Sequence, residues 1–177
     1  YRDSELLSNC TVLDVTDEKG LLCGKILADL GADVIKVERR GGDPARDIPP
    51  FYNGIRDPER SLLWWGLNTS KRGITLDIEE QGDRQVFLNL VRKADVVLES
   101  FTPGYLQQIG LQYKILQDIN PRIVLTSITP FGQTGPYKDF KASDITLMAL
   151  SGQLYSCGDP DRPPIRPSPP QAYLQGS

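Results

Sequence analysis

The chain has 177 residues, 39% of them hydrophobic, which is enough for one domain with its own core. Its formal net charge is -3, so we expect no general attraction to nucleic acid, and a bound anion must be held by a local basic cluster. The sequence contains no histidine, which excludes every mechanism within this chain that needs a histidine nucleophile pair, metal ligand or proton carrier.

Strands and helices alternate from the beginning of the chain. Residues 11–15 (TVLDV) predict a strand that ends in the polar turn of residues 16–20. A helix is predicted to begin near Gly20 or Leu21, and residues 33–37 (DVIKV) predict a second strand, covered and parallel. Repetition every four residues is expected to turn three apolar side chains of this helix toward the sheet, Leu22, Ile26 and Leu30.

A basic, glycine-rich loop follows the second strand. Arg39 and Arg40 come just past the strand, and Gly41-Gly42 lets a ligand approach the backbone closely. Open α/β sheets bind ligands at the carboxyl ends of their strands, so this loop favours an anionic, phosphate-bearing ligand. The expected anion-binding cluster has four basic residues, Arg39, Arg40, Lys71 and Arg72.

The middle of the chain repeats the alternation. Residues 41–60 are rich in proline and charge and are predicted to form a functional loop, after which Trp64 and Trp65 return to the core. Further strands are predicted at residues 73–77, 94–99 and 122–128, and further helices at residues 81–93 and 112–119. This order predicts an α/β fold, with an open, mostly parallel sheet and helices on both faces.

Two more helices are predicted from their capping residues. Thr102 is expected to cap a helix whose first residue is Pro103, which would create a second anion site. Ser143 is expected to cap a helix that runs to about Leu154.

The last segment of the chain differs from the rest in its high proline content. Six of the 14 prolines lie between residues 160 and 170. We therefore expect residues 157–177 to be an extended arm without its own core, which packs on another part of a larger protein or on a partner. Residues 1–156 are expected to form the ligand-binding domain.

Several other classes of protein are disfavoured. The three unevenly spaced cysteines (10, 23 and 157) are typical of reduced thiols in a cytoplasmic protein, and without CxxC spacing they predict no metal site. No apolar run approaches the roughly twenty residues that span a bilayer, so we expect no membrane partner. Neither GxGxxG nor GxxxxGK[ST] occurs, so the dinucleotide signal is weak and P-loop chemistry is unsupported.

Five blocks of sequence, taken together, resemble family III CoA-transferases, the CaiB/BaiF type that includes formyl-CoA transferase and carnitine-type CoA-transferases. The blocks are LADLGADVIKVERRGGDPAR, NTSKRGITLD, ADVVLESFTPGYLQQIGL, NPRIVLTSITPFGQTGPY and SDITLMALSG. The resemblance implies a Rossmann-like sheet, an interlocked homodimer, and CoA or acyl-CoA as a substrate beside a carboxylic acid, with no metal. Members of the family are considerably longer, so this chain is expected to be an amino-terminal portion.

The resemblance also implies positions that bind CoA. Lys19 and Gly20 match the loop after the first strand loosely, and Arg39 matches a basic residue beside the adenosine. Leu76 and Phe101 match positions of the adenine pocket. The other implied positions are Ser100, Gln108 and Lys141. The alternative is that Leu76 and Phe101 are ordinary core side chains and that Arg39 is solvated.

The family's nucleophile is an aspartate, and it has no match here. In such enzymes it forms an acyl anhydride from the donor thioester, takes CoA as an aspartyl thioester and passes CoA to the acceptor acid. Counting from the prolines puts Tyr173 at this position, and counting back from Gly176 puts Ala172 there. A phenol with a pKa of about 10 is a poor nucleophile. The nearby Asp159 and Asp161 are expected to belong to a turn.

Three functions are compatible with these residues. The first is a family III protein that moves CoA between a thioester and an acid but lacks the usual aspartate. The second is a non-catalytic CoA-binding or assembly module, and the third is an unrelated nucleotide-binding domain. Racemisation, which related acyl-CoA racemases perform with a histidine, is disfavoured because Ser143 occupies the corresponding position.

Overall fold

A computed structural model describes residues 6–168 and 170–176. Its five strands form one parallel sheet in the order β3-β2-β1-β4-β5. The strands are β1 (Thr11–Asp14), β2 (Asp33–Glu38), β3 (Arg72–Thr75), β4 (Val96–Glu99) and β5 (Val124–Ser127). Because the chain runs outward from β1 in both directions, the loops after β1 and β4 diverge and leave a crevice at the carboxyl edge. The predicted α/β fold with a parallel sheet is confirmed.

Helices cover both faces of the sheet. They are α1 (Leu21–Asp29), α2 (Leu62–Asn68), α3 (Gln81–Val91), α4 (Tyr105–Gln108), α5 (Tyr113–Ile119), α6 (Asp144–Leu150) and α7 (Gln171–Gln175). Alternate strand residues serve opposite faces: Leu13 and Val97 pack in the core formed with α3 and α5, whereas Val12 and Leu98 pack with Ala28 of α1. Short 3₁₀ turns occupy Pro44–Asp47, Tyr52–Gly54, Pro58–Arg60 and Gln153–Ser156.

The predicted inner face of α1 is wrong. Ile26 and Leu30 are 46% and 41% exposed, and the buried residues of the helix are instead Leu21, Gly24 and Ala28. Two of these three are small, so the helix backbone lies close to β1, and Ile26 and Leu30 are turned away from the sheet.

The expectation for the tryptophan pair is half right. Trp64 is buried, whereas Trp65 is 43% exposed. Both lie in α2, where consecutive residues point in clearly different directions, so only one of them can face the core.

Two helix boundaries differ from the sequence predictions. Helix α4 begins at Tyr105, its preceding residue Gly104 is left-handed with φ 84°, and it is only four residues long. Thr102 and Pro103 lie in the turn before it, so the predicted helix start at these two residues is wrong. Helix α6 ends at Leu150, and residues 153–156 form a separate 3₁₀ turn.

The proline-rich segment ends in a helix that the pattern did not predict. Helix α7 packs against α6, and the backbone N–H of Ala172 donates to Oδ1 of Asp144 at 2.8 Å. The preceding residues 158–166 are exposed. Over the described part of the chain, no helix is long and apolar enough to cross a membrane.

Candidate functional site

A cleft of about 1040 Å³ opens at the carboxyl edge of the sheet. The loops after β1, β2, β3 and β4 all contribute to it, and the segment that leads into α6 closes one side. Its apolar wall is formed by Val37, Leu76, Ile78 and Phe101. The cleft therefore lies at the reversal of strand order, where open α/β sheets bind ligands.

Six of the eight positions implied for CoA binding line this cleft. They are Lys19, Arg39, Leu76, Ser100, Phe101 and Lys141. Gly20 is outside the lining and is buried so tightly against Thr16 that a methyl group there would lie 2.7 Å from its Cγ2 atom. Gln108 is an exposed residue of α4, also outside the lining.

The basic residues of the cleft differ in their partners. The Arg40 guanidinium is 3.0 Å from Asp83, and the Lys138 ammonium is 2.7 Å from Asp139. Arg39 donates through Nε to the Gly42 carbonyl at 3.2 Å. Among the residues that the structure describes, neither Arg39 nor Lys141 has a carboxylate partner. These two exposed cations are therefore the ones best placed to meet an anion.

Lys71 and Arg72 do not join this group, so the four-residue basic cluster is wrong. Arg72 is the first residue of β3 and Lys71 comes just before it, and neither residue lines the cleft. Arg72 pairs with Asp33, with Nε 2.7 Å from Oδ1. The Lys71 ammonium is buried and lies 2.8 Å from Oδ2 of Asp14.

A buried group of alternating charges lies beneath the cleft, and we call it the buried charge network: Asp14, Lys36, Asp43 and Lys71. The Lys36 ammonium lies 3.1 Å from Oδ2 of Asp43 and 3.8 Å from Oδ1 of Asp14. Sequence reasoning missed it by treating the stretch DVIKV as simply apolar. A lysine within a covered strand is itself a signal, because a buried ammonium requires a partner.

The loops after β1 and β4 are hydrogen-bonded to each other across the crevice. The backbone N–H of Asp17 donates to Oγ of Ser100 at 2.8 Å, and that hydroxyl donates to Oδ1 of Asp17 at 2.7 Å. Lys19 also bonds to the Asp17 carboxylate. Ser100 thus holds together the two loops that diverge from the centre of the sheet.

Glu99, at the end of β4, is a buried carboxyl group that shapes the same edge. Its Oε2 accepts from the backbone N–H of Phe101 at 2.7 Å, and its Oε1 accepts from the Gln133 side chain at 3.2 Å. Burial is the largest cause that raises the pKa of Glu99 above its usual range. The charged form is therefore less favourable in the folded chain than in the unfolded one.

A pH-dependent change in stability is expected from Glu99. Because its folded pKa is raised, the folded state holds this proton more tightly, and that stabilisation is lost as pH rises from the ordinary glutamic-acid range through the folded pKa. E99Q mimics the neutral acid, so its free energy of unfolding should improve relative to the native chain as pH rises. Urea unfolding across this range measures the difference.

The exposed residue Glu80 provides the matched control. E80Q removes a carboxylate at the surface rather than a buried one, so the comparison of E99Q with E80Q isolates the effect of burial. A difference between the native chain and E99Q that stays constant with pH would contradict the assignment.

The two candidate nucleophile positions lie beside the cleft. Tyr173 lines it and also lines an adjoining cavity of about 440 Å³, to which Ala172 contributes. Burial raises the pKa of the Tyr173 phenol, which makes its nucleophilic phenolate rarer at neutral pH. Asp159 and Asp161 are exposed and contribute to neither cavity.

Comparison with known proteins gives a consistent result. The sequence profile of CoA-transferase family III matches residues 7–177. Subunit BbsE of succinyl-CoA:(R)-benzylsuccinate CoA-transferase from Thauera aromatica is 43% identical over 166 residues, which cover 94% of this chain and 40% of that protein. Formyl-CoA:oxalate CoA-transferase from Streptomyces avermitilis is 37% identical over 167 residues, covering 92% of this chain and 39% of that protein.

A solved structure agrees. The crystal structure of a CAIB/BAIF family protein from Brucella suis superposes with a TM-score of 0.87 at 36% identity, over 96% of this chain and 45% of that one. The chain thus spans about 40% of the length of the two curated relatives. From its fold, its matched profile and these relatives, the chain belongs to CoA-transferase family III.

Proposed function

We propose that this chain is the CoA-binding part of a protein that moves CoA between an acyl-CoA thioester and a carboxylic acid. The observation that carries the proposal is the cleft at the strand-order reversal, which combines two exposed cations, Arg39 and Lys141, with an apolar wall. The names of the curated relatives, all CoA-transferases, support the reaction type.

The two sides of the cleft suit the two chemical parts of the nucleotide end of CoA. Arg39 and Lys141 offer positive charge to its phosphates. Leu76 and Phe101 offer apolar surface to its adenine ring, and the Phe101 ring is already packed on Tyr105 at 4.6 Å between centroids. Leu76 is both a core residue and a wall of the cleft, so these two interpretations of it are compatible.

We further propose that this chain does not supply the nucleophile. The expected position holds alanine or tyrosine. The carboxylate of Asp144 accepts a hydrogen bond from the backbone N–H of Ala172, but Asp144 is only 4% exposed. The nucleophilic carboxylate would then come from a further segment or from a partner chain. One relative is itself described as a subunit, which favours a partner chain.

The second candidate is a non-catalytic CoA-binding or assembly module. Apolar side chains near the C-terminal end favour some form of assembly, because Leu150, Tyr155 and Ile165 are 73%, 96% and 61% exposed. Such a module would bind CoA and support a catalytic partner, and a homodimer is the assembly that the family resemblance implies.

Binding and mass measurements test both proposals. In calorimetry the chain should bind CoA, and NAD should bind much more weakly. After incubation with an acyl-CoA and a carboxylic acid, intact mass spectrometry should show an unmodified chain, because no carboxylate occupies the nucleophile position. A covalent CoA adduct would overturn the proposal that this chain does not supply the nucleophile. Stronger binding of NAD than of CoA would overturn the proposal that the cleft binds CoA.

A further inference from the structure

Lys36 connects two walls of the cleft from below. Its ammonium donates to the backbone carbonyl of Thr16, in the loop after β1, and is 3.1 Å from the carboxylate of Asp43, in the loop after β2. Both of these partners line the cleft. The Lys36 side chain itself is 3% exposed and does not line the cleft, so it acts on a ligand only through other residues.

Each partner of Lys36 organises its own loop. Thr16 donates from its backbone N–H and its hydroxyl to Oδ1 of Asp14, at 3.0 and 2.6 Å. Asp43 accepts from the backbone N–H of Ala45 at 2.9 Å and so begins the 3₁₀ turn at Pro44–Asp47. A single ammonium group therefore contacts both loops, at Thr16 and at Asp43, and ties them to the sheet.

A hydrophobic side chain would fill this position at a lower electrostatic cost. Taking an ammonium group out of water is unfavourable, and a buried ion pair often stabilises a fold no more than apolar residues of similar size would. The lysine in an otherwise apolar strand is thus better explained by what its charge orients than by the stability that it adds.

We propose that Lys36 is a positioning residue for the nucleotide cleft, which sets the loop after β1 and the loop after β2 in the spacing that the ligand requires. The identity of the ligand as CoA rests on the proposed function. The positioning itself concerns the chain without ligand and can be tested separately.

Lys71 provides a matched comparison within the same buried charge network. Its ammonium also pairs with Asp14 and is as buried as that of Lys36, but its other partners are the Leu21 carbonyl and the Asn68 side chain, neither of which lines the cleft. K36M and K71M therefore each remove one buried ammonium, and only K36M releases the two cleft loops.

Two measurements separate positioning from general stability. In hydrogen exchange of the free chain, K36M should speed up exchange at residues 16–20 and 43–46, whereas K71M should leave those amides close to native rates. In calorimetry well below the melting temperature, K36M should bind CoA about tenfold more weakly or worse, because small misplacements of binding groups are costly. K71M should bind within about twofold of the native chain, since its contacts lie outside the cleft.

D43N is the alternative test variant if K36M does not fold. It keeps the cap acceptor for Ala45 but removes the charge that faces Lys36, so faster exchange is expected at residues 43–46 and not at 16–20. Equal effects of K36M and K71M on exchange and affinity would overturn the proposal, as would native loop exchange in D43N. A native chain that binds no CoA but shows the predicted exchange pattern would contradict only the proposed function.

Discussion

Replacing Arg39 and Lys141 together by alanine is expected to weaken CoA binding by about a hundredfold. A hydrogen bond to a charged group contributes roughly 1.5 kcal/mol at the lower end of its range, and two such losses give about two orders of magnitude in the dissociation constant. Both side chains are exposed and line the cleft, so the fold should tolerate their removal. Calorimetric titration with CoA at low ionic strength measures the change.

The control for this double variant removes the same net charge elsewhere. Arg56 is 79% exposed and Lys114 is 73% exposed, and neither lines the cleft. R56A combined with K114A should leave CoA affinity nearly unchanged. If both double variants lose affinity equally, the attraction is a general effect of charge. If R39A with K141A binds normally, the anion lies elsewhere.

A second large effect is expected at Gly24, where G24A should destabilise the fold by about 3 kcal/mol. A methyl group at this position would lie 2.3 Å from Oδ2 of Asp14 and 3.1 Å from the Lys71 ammonium. The buried ion pair between them would have to separate, and breaking such a pair costs roughly 3–5 kcal/mol. Urea unfolding of the native chain and of G24A measures the difference in free energy.

Gly66 is the matched control, because it also lies inside a helix but has nothing within 4 Å of the added methyl group. G66A should stabilise the chain by about 0.5–1 kcal/mol, since alanine loses less backbone entropy on folding. Stabilisation by G24A of the same size as that by G66A would show that α1 does not lie tightly against Asp14.

The sheet was predictable from sequence because runs of β-branched residues are a local signal for strands. The runs TVLDV and RIVLTSI are rich in β-branched residues, and the structure places β1 and β5 inside them. The inner face of α1 was not predictable in this way. Periodicity ranks side chains by hydrophobicity, whereas close packing on β1 selected Gly24 and Ala28 for their size.

The candidate site, like the fold, was predictable from sequence only in part. Strand-end positions such as Arg39 and Phe101 reach the cleft because their place follows from the order of the strands. Lys71 was misplaced because sequence cannot say that its ammonium meets an aspartate 57 residues away. The network around Lys36 depends on the same kind of long-range pairing, and it becomes visible only once β1 and β2 are side by side.

The strand order also determines when the cleft is completed as the chain folds. β1 joins β2 through residues such as Thr11 and Asp33, close in sequence, but joins β4 through Val12 and Val96, 84 positions apart. Closing the longer loop costs about 1 kcal/mol more in chain entropy. We therefore expect the β1–β4 junction to form late, so that the cleft is completed in the last steps of folding.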